Sequence, residues 1–188
     1  MENEFDYLII GGGSAGCALA GRLSEDPDTR VCLLEAGGQG DGLLVNVPSG
    51  AVAMLSKPIN NWVMETVPQK GLNGRQGFQP RGKCLGGSSA INAMVYIRGH
   101  REDYDHWAAQ GNDGWSYADV VSHFEQLETP PQDDPRAPHL SITDNSADFH
   151  PMGSDFLEIC RQGQLPVCDS PAREGIGITP YLTTTRDG

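Results

Sequence analysis

The amino-acid sequence predicts an α/β fold built on a parallel sheet. Three observations lead to this prediction: residues 5–10 have the apolar composition of a short buried strand, residues 14–24 have an alanine-rich helical pattern, and RVCLLE at 30–35 is a second strand candidate. The turn signal DPDT at 26–29 separates the helix from the second strand. Strand, helix and strand within about 30 residues form a βαβ unit, whose two strands run parallel with a right-handed crossover.

Composition narrows the class of protein further. The 188 residues are enough for one good core or two small ones. Glycine accounts for 24 of the 188 residues but follows no repeat, which excludes a collagen-like chain. With 13 basic and 25 acidic residues the net charge is −12, which disfavours nucleic-acid binding.

The five cysteines contain no C-x-x-C pair, which favours a reducing compartment, and we expect Cys17 and Cys32 to be small buried residues. The acidic start Met1-Glu-Asn-Glu lacks the basic region of a signal peptide. No apolar run reaches the roughly 18 residues of a membrane span. We therefore expect a cytoplasmic protein, with peripheral association with the inner membrane as an open alternative.

The rest of the chain predicts shorter and less regular elements. In chain order they are an irregular glycine-rich region at 37–82, a weakly helical segment at 88–96, helices at 101–110 and 117–127, a linker at 130–138, a strand-like segment at 139–144, a helix at 152–162 and a strand-like tail at 179–188.

The first motif with a chemical meaning is G-x-G-x-x-G, formed by Gly11, Gly13 and Gly16 between the first strand and the helix. The first glycine permits the tight turn, the second lets a pyrophosphate approach the backbone, and the third lets helix and sheet pack closely. Ser14 and Ala15 open the helix, whose free N–H groups and dipole favour an anion. The motif predicts a Rossmann-like dinucleotide site.

An acidic residue lies where such a site needs one. Glu35 ends the second strand, 19 residues beyond Gly16, where its carboxylate can accept hydrogen bonds from both ribose hydroxyls of an adenosine. The same carboxylate would repel a 2′-phosphate, which disfavours NADP. The first motif leaves NAD and FAD equally open.

A second glycine motif distinguishes these dinucleotides. In RGKCLGGSSAINAMVYIRGHREDYDHWA, at 81–108, the residues Gly82, Gly86 and Gly87 allow another close backbone approach, and Ser88 adds a hydroxyl donor. Two such sites suit a long ligand that is held at its pyrophosphate and again nearer its other end. An NAD site does not need this second point of attachment. With both motifs, the chain resembles the glucose–methanol–choline (GMC) family of FAD-dependent oxidoreductases, and most of all its branch of choline dehydrogenases and bacterial alcohol dehydrogenases.

The resemblance implies a Rossmann-like FAD-binding domain with a parallel sheet, followed by the start of an α+β substrate-binding domain. The implied bounds are 1–128 for the FAD-binding domain, 129–138 for a linker and 139–188 for the substrate-binding part. The implied FAD-binding residues are Gly11, Gly13, Ser14, Ala15 and Gly16 at the pyrophosphate; Glu35 and Ala36 at the adenosine ribose; Trp62 bordering the cofactor; Gly82, Gly86, Gly87 and Ser88 along the ribityl and phosphate path; and Asn92, Ala93, Met94 and Val95 beside the flavin ring.

The resemblance also implies the reaction. The substrate would be choline or another primary alcohol. Its hydroxyl proton would pass to a histidine while the hydride from its carbon passes to the flavin. The electrons would then pass from the flavin to oxygen or to a quinone-type acceptor. Family members are much longer, and their catalytic histidine and its histidine or asparagine partner fall beyond residue 188. Some members attach FAD covalently through a histidine, and Ile91 in that position predicts noncovalent FAD. A non-catalytic flavin-binding polypeptide and an NAD-linked oxidoreductase remain the alternatives.

Several residues that resemble a catalytic cluster are interpreted structurally. Asp103, Tyr104, His106 and Trp107 fall on different faces of the predicted helix, so Trp107 is expected in the core and the others in solvent. Structural pairing is expected for Arg98 and His100. The remaining histidines have no metal-ligand spacing; they are His123, His139 and His150.

Overall fold

The computed structural model of the chain describes most of its length, in four ranges: 4–129, 139–146, 149–168 and 177–185. The chain divides into two compact units, Met1–Ala93 and Met94–Gly188. The predicted linker at 130–138 lies outside the described residues. The predicted functional domain bounds stay a prediction.

The first unit begins with the predicted βαβ arrangement. Strand β1 (Tyr7–Ile10) is followed by helix α1 (Ser14–Leu23) and strand β2 (Val31–Leu34). The two strands are parallel and in register from Tyr7 opposite Val31 to Ile10 opposite Leu34. Both strands therefore end at one edge of the sheet, which confirms the predicted α/β organisation at this end of the chain.

The core of the first unit is small. Met54, Cys84 and Ile91 are buried, whereas Ile10 at the end of β1 is 83 % exposed. The expected burial of Cys17 and Cys32 is wrong, because both are only half-buried. The Cys17 thiol donates a hydrogen bond to the Gly12 carbonyl, with an Sγ–O distance of 3.2 Å.

Short elements occupy the region predicted to be irregular. They are helix α2 (Leu43–Asn46), helix α3 (Gly50–Leu55), strand β3 (Met64–Glu65), a 3₁₀ turn (Lys70–Leu72) and strand β4 (Phe78–Gln79). Strands β3 and β4 form an antiparallel hairpin. Elements of two to six residues are too short to produce a periodic pattern in sequence, which is why the prediction missed them.

The predicted helical segment at 88–96 is wrong over most of its length. Only one 3₁₀ turn forms, over Gly87–Ala90, and the chain then enters strand β5 (Val95–Tyr96). Met94, immediately before β5, has a φ of +59°, which no helix accommodates. A β-branched residue and an aromatic residue then favour the extended conformation that β5 adopts.

The second unit contains three helices and a small sheet. Its elements after β5 are helix α4 (Arg101–Ala109), helix α5 (Tyr117–Glu128), strand β6 (Thr143–Asp144), helix α6 (Pro151–Gln162) and strand β7 (Leu182–Thr183). The three helices confirm the predicted ones. The strands form an antiparallel sheet in the order β5, β7, β6.

Capping boxes explain where the two central helices begin. The His100 ring accepts a hydrogen bond from the first turn of α4, and the Asp103 carboxylate accepts one from the His100 backbone N–H. Ser116 and Asp119 form the equivalent pair at the start of α5. Each capping box satisfies backbone N–H groups that a helix start otherwise leaves without partners.

The two aromatic residues of α4 differ from the expectation of a buried Trp107 and an exposed Tyr104. Trp107 is 45 % exposed and meets the Trp115 ring edge-on, with centroids 5.6 Å apart, so its predicted burial is wrong. Tyr104 is half-buried and lies between Trp107 and Phe124. None of the helices in the described ranges is long and apolar enough to cross a bilayer.

Candidate functional site

The first glycine loop connects the end of β1 to the start of α1. Gly11 has a φ of +98°, a conformation that favours glycine. A Cβ added at Gly16 would lie 2.0 Å from the Gly11 carbonyl oxygen, so only glycine lets the helix approach the loop this closely. A Cβ at Gly13 would meet no heavy atom within 4 Å. The space beside Gly13 is therefore open, although the loop around it is tight.

Helix α1 begins at this open space without a side-chain cap. Gly13 is the N-cap residue in extended conformation, and the first turn of the helix contains no acidic residue. Ser14 and Ala15 are exposed at the same end. An uncapped helix N-terminus directs backbone N–H groups and the positive end of the helix dipole toward any anion that binds there.

The second glycine loop packs directly against the first. The Gly86 N–H donates to the Gly12 carbonyl over 2.7 Å, and Gly13 and Gly86 form a parallel bridge. Gly87 has a φ of +56°, and a Cβ there would lie 2.8 Å from the Gly13 Cα. The two loops, which are far apart along the chain, thus converge in space, as the sequence predicts.

The same second loop contacts the segment that follows β2. A Cβ at Gly37 would lie 1.8 Å from the Lys83 carbonyl oxygen, so glycine is required for this approach as well. The Leu85 N–H donates to the Gly38 carbonyl over 2.8 Å. Three backbone segments therefore surround the carboxyl ends of β1 and β2, the position at which parallel sheets bind ligands.

The carboxylate of Glu35 holds two of these segments together. It accepts hydrogen bonds from the backbone N–H of Gly12, over 2.7 Å, and from that of Gly37, over 2.9 Å. An ionised carboxylate has about four lone-pair positions, so two protein partners leave acceptor capacity for ligand hydroxyls. Glu35 thus has a structural role in the loop that its predicted ribose contact did not anticipate.

A cavity of about 590 Å³ opens at this convergence. Eight of the predicted binding residues line it: Gly11, Gly13, Glu35, Ala36, Trp62, Gly82, Gly87 and Ser88. The Ser88 hydroxyl oxygen also accepts a hydrogen bond from the Gly82 N–H over 3.1 Å. Residues from both glycine motifs therefore share one cavity within the first unit.

The other eight predicted residues do not line this cavity. Gly16 and Gly86 make the loop contacts described above. Four others belong to the first unit: Ser14, Ala15, Asn92 and Ala93. The last two, Met94 and Val95, belong to the second unit. Their predicted contacts with a cofactor stay a prediction.

Four cavity residues were missed from the sequence: Ile10, Leu34, Met64 and Arg81. Ile10 and Leu34 end the two parallel strands, and the rule that ligands bind at carboxyl ends of strands could have identified them. Met64 begins strand β3, two residues after Trp62, and Val63 between them has a φ of +52°, so no strand pattern links the two residues. Arg81 directly precedes the second glycine motif, and its charge was the available signal.

One buried side chain connects the wall of the cavity to the core. Asn61 is 4 % exposed and donates from Nδ2 to the carbonyls of Met54 and Leu55. Its Oδ1 accepts from the backbone N–H of Val63 and of Arg81. This amide fixes the backbone around Trp62, whose ring also packs against the Lys83 ammonium, with Nζ 4.2 Å from the ring centroid.

The Cys84 thiol lies in the second glycine loop, close in sequence to the cavity residues Gly82 and Gly87. Burial, and then the negative charge of Glu35, raises the pKa of the Cys84 thiol, so the thiol stays protonated at neutral pH. No histidine is among the cavity residues. Among the described residues no group of three or more His, Cys, Asp or Glu could hold a metal ion. The open space at the N-terminus of α1 and the backbone N–H groups beside it are therefore suited to binding an anionic nucleotide.

Comparison with known proteins agrees with this interpretation. The family model described as "GMC oxidoreductase" matches residues 5–182. An alcohol dehydrogenase [acceptor] from Pseudomonas putida is 40 % identical over 192 residues, covering 98 % of this chain and 34 % of that protein. The mitochondrial choline dehydrogenase of Homo sapiens is 40 % identical over 189 residues, covering 94 % of this chain and 32 % of that protein.

Solved structures give the same result. Pyridoxine 4-oxidase from Mesorbium loti superposes with a TM-score of 0.86 and 34 % sequence identity, covering 98 % of this chain and 37 % of that one. The chain spans about a third of the length of the curated relatives that it matches. The matched family model covers nearly all of the chain, and the chain belongs to the GMC oxidoreductase family.

Proposed function

We propose that this chain binds FAD noncovalently as the cofactor-binding part of an alcohol-oxidising flavoenzyme. The single observation that carries the proposal is the convergence of the two glycine loops at one cavity, with the Gly86 N–H bonded to the Gly12 carbonyl. An NAD site needs only the first of these loops. A second backbone loop along the same cavity suits the longer flavin nucleotide.

The residues of the first unit fit the polar parts of FAD. The open space at Gly13 and the uncapped N-terminus of α1 suit the pyrophosphate, which needs N–H donors and no intervening side chain. The remaining acceptor capacity of Glu35 suits the adenosine ribose, beside Ala36. We assign Gly82 and Ser88, with their neighbours in the second loop, to the ribityl and phosphate path, and residues 92–95 to the flavin ring.

Ile91 supports noncovalent attachment. Its side chain is 2 % exposed and has no nucleophilic atom that could bond to the flavin ring. Acid precipitation of the purified holoprotein should therefore release all of the yellow colour into the supernatant. Colour retained in the washed pellet would contradict noncovalent binding and would require another attachment residue.

When bound, FAD supplies the hydride acceptor for oxidation of an alcohol carbon. The chain itself would bind and orient this cofactor, and the cavity residues include no histidine of the kind that the family resemblance assigns to removal of the hydroxyl proton. We propose a primary alcohol as the substrate class, because relatives are named for alcohol and for choline. Oxygen is one candidate electron acceptor, as in the relative named oxygen-dependent choline dehydrogenase, and a quinone is the other.

The domain organisation and cellular location are part of the same proposal. We assign residues 1–128 to the FAD-binding domain, 129–138 to a linker and 139–188 to the beginning of a substrate-binding domain. We place the protein in the cytoplasm, with peripheral association with the inner membrane as the alternative, which a membrane fractionation would distinguish.

The visible spectrum of the purified protein tests the proposal. Bound flavin gives an oxidised-flavin spectrum in the visible, whereas bound NAD gives none, so a colourless protein that binds NAD would contradict it. Anaerobic addition of choline and of simple primary alcohols to the full-length flavoprotein then tests the reaction class, because this chain alone, without the expected catalytic histidine, should leave the flavin oxidised. Bleaching of the flavin would identify a substrate, and a stable flavin with all alcohols would favour the non-catalytic flavin-binding alternative.

A further inference from the structure

One wall of the nucleotide cavity carries a positive charge that the glycine motifs do not account for. Arg81 lines the cavity, and its guanidinium donates to the Pro80 carbonyl over 2.7 Å and to the Gln79 side-chain oxygen over 3.2 Å. Both partners are neutral. None of the described carboxylates forms an ion pair with Arg81. Its charge is therefore not neutralised by that part of the protein.

The backbone of Arg81 is fixed more firmly than its exposed side chain suggests. Its N–H donates to the buried Oδ1 of Asn61 over 3.0 Å, and its carbonyl accepts from the Trp62 N–H over 2.8 Å. Asn61 is in turn bonded to the end of α3 through its Nδ2. The guanidinium itself is held by its hydrogen bonds to Pro80 and Gln79, which restrict its range of positions and lower the entropy lost when it binds a ligand.

The charges in and around the cavity show why a bound diphosphate needs a cation such as Arg81. A diphosphate carries two negative charges, whereas the cavity already contains the Glu35 carboxylate and the whole chain has a net charge of −12. The N-terminus of α1 supplies only a partial positive charge. The other nearby cation, Lys83, lies over the Trp62 ring and is not one of the cavity residues.

We propose that Arg81 binds the diphosphate of the nucleotide, with Asn61 as the residue that positions it. This inference rests on the proposed function, because it takes FAD as the natural ligand. The planar guanidinium still has N–H donors beyond those that bond Pro80 and Gln79, and such donors match the geometry of phosphate oxygens. Arg81 is thus the cationic contact that complements the backbone N–H groups of the first glycine loop.

The test compares ligands that differ in the diphosphate. FAD, ADP and adenosine are titrated into the flavin-free protein, as the wild type and as Arg81→Gln. We expect FAD and ADP to bind about tenfold more weakly to Arg81→Gln, because one charge-assisted contact is lost. Adenosine should bind equally to both proteins. Arg81→Lys should fall between them, since it keeps the charge and loses the planar fork.

Arg75→Gln is the matched control. Arg75 lies in the turn between strands β3 and β4, shortly before Arg81 in the chain. It donates to the Leu72 carbonyl and is not one of the cavity residues, so the Arg75→Gln change should leave the affinity for FAD and ADP unchanged.

Salt provides a second test. The loss of affinity in Arg81→Gln relative to the wild type should become smaller as salt concentration rises, because screening weakens an exposed ionic contact.

The outcomes separate this inference from the proposed function. If the wild type binds FAD and Arg81→Gln binds FAD and ADP equally well, Arg81 is not the diphosphate contact, while the FAD proposal stands. If Arg81→Gln weakens adenosine as much as ADP, its effect is structural and the inference is wrong. A wild type that binds neither FAD nor ADP would overturn the proposed function itself.

Discussion

Gly13 is the residue at which the requirements of folding and of ligand binding differ most. A Cβ there meets no protein atom within 4 Å, and its φ of −76° is accessible to any residue. Its neighbour Gly16, in contrast, has no room for a Cβ. The fold therefore favours glycine at Gly11 and requires it at Gly16, whereas at Gly13 the proposed ligand is the reason for glycine.

We predict that Gly13→Val folds but purifies without flavin, because the added side chain fills the space proposed for the pyrophosphate. Visible absorbance reports the flavin, and circular dichroism reports the fold. Gly21→Val is the matched control: it adds the same side chain to α1 at a position that is also open, and it should stay yellow. A yellow Gly13→Val protein would refute the assignment of this loop.

Glu35 gives a second prediction at this scale, because its carboxylate both organises the loop and faces the cavity. Glu35→Gln places an NH₂ group against one of the two backbone N–H donors, Gly12 or Gly37. We expect the free energy of unfolding to fall by about 1–3 kcal/mol, the cost of a donor left without an acceptor. Denaturant unfolding without flavin measures it. Glu65→Gln, an exposed change in the same unit, should have no such effect.

At the scale of elements, one polar cluster joins strand β5 to the end of helix α5. Arg98 pairs with Glu128 over 2.5 Å, both side chains are largely buried, and the Tyr96 hydroxyl donates to the same carboxylate. Burial, and then the bond to Glu128, raises the pKa of Tyr96 to about 12. Burial also acts to raise the pKa of Glu128, but the hydrogen bonds from Arg98 and Tyr96 outweigh it and lower that pKa.

The pH dependence of stability follows from these shifts. The pKa of Tyr96 is higher in the folded state, so its contribution is complete below about pH 10 and is lost as pH rises toward 12. The pKa of Glu128 is lower in the folded state, so its contribution is complete above 4.5 and is lost as pH falls through the folded value. The second unit should thus lose stability at both extremes of pH.

We predict that Tyr96→Phe lowers the free energy of unfolding by about 1 kcal/mol at neutral pH, the net value of one hydrogen bond. Between pH 10 and 12 the difference between wild type and variant should shrink, because the wild type loses this contribution there. Denaturant unfolding over that pH range measures it. Tyr181→Phe, an exposed tyrosine in the same unit, is the control, and an equal effect from it would contradict the role of Tyr96.

The elements that the sequence predicts correctly are those that are long or carry a motif. Helices α4, α5 and α6 each extend over at least nine residues, so their periodicity is visible. The βαβ unit is identified by its glycines. Strand β5 was mistaken for helix because its two residues acquire their conformation from pairing with β7, a contact between segments far apart in the chain.

The residues of the candidate site also divide into those that the sequence predicts and those that it does not. Gly11, Gly13 and Gly87 are recognisable because glycine itself is the signal. Arg81 and Met64 reach the cavity only because the buried Asn61 fixes the segment beside them through hydrogen bonds distant in sequence. No local pattern records such a contact, so the charge of Arg81 is a signal in the sequence but Met64 has none.

At the scale of the whole molecule, the small core makes stability dependent on the ligand. In the part of the chain that the structure describes, the parallel sheet of the first unit has two strands, and Ile10 and Leu34 at their ends are at least half exposed beside the cavity. So small a sheet is marginal on its own. A ligand that binds only the folded state of this chain should therefore add to its stability.

We predict that FAD at about 100 times its dissociation constant adds roughly 2.7 kcal/mol to the free energy of unfolding, by mass action alone. Thermal unfolding across a series of FAD concentrations measures the shift. The Gly13→Val protein should show none, which separates specific binding from a solvent effect. A shift in that variant equal to the wild type would place the FAD site elsewhere in the molecule.

Amide hydrogen exchange with and without FAD tests how far the cofactor extends along the chain. The two glycine loops should exchange more slowly when FAD is bound, because their N–H groups are proposed to face the pyrophosphate and ribityl path. If residues 92–95 contact the flavin ring, protection should continue through Met94 and Val95 into the second unit. Helix α6 contains no predicted cofactor residue and serves as the internal control. Protection that stops at the loops would remove residues 92–95 from the site and leave the rest of the assignment intact.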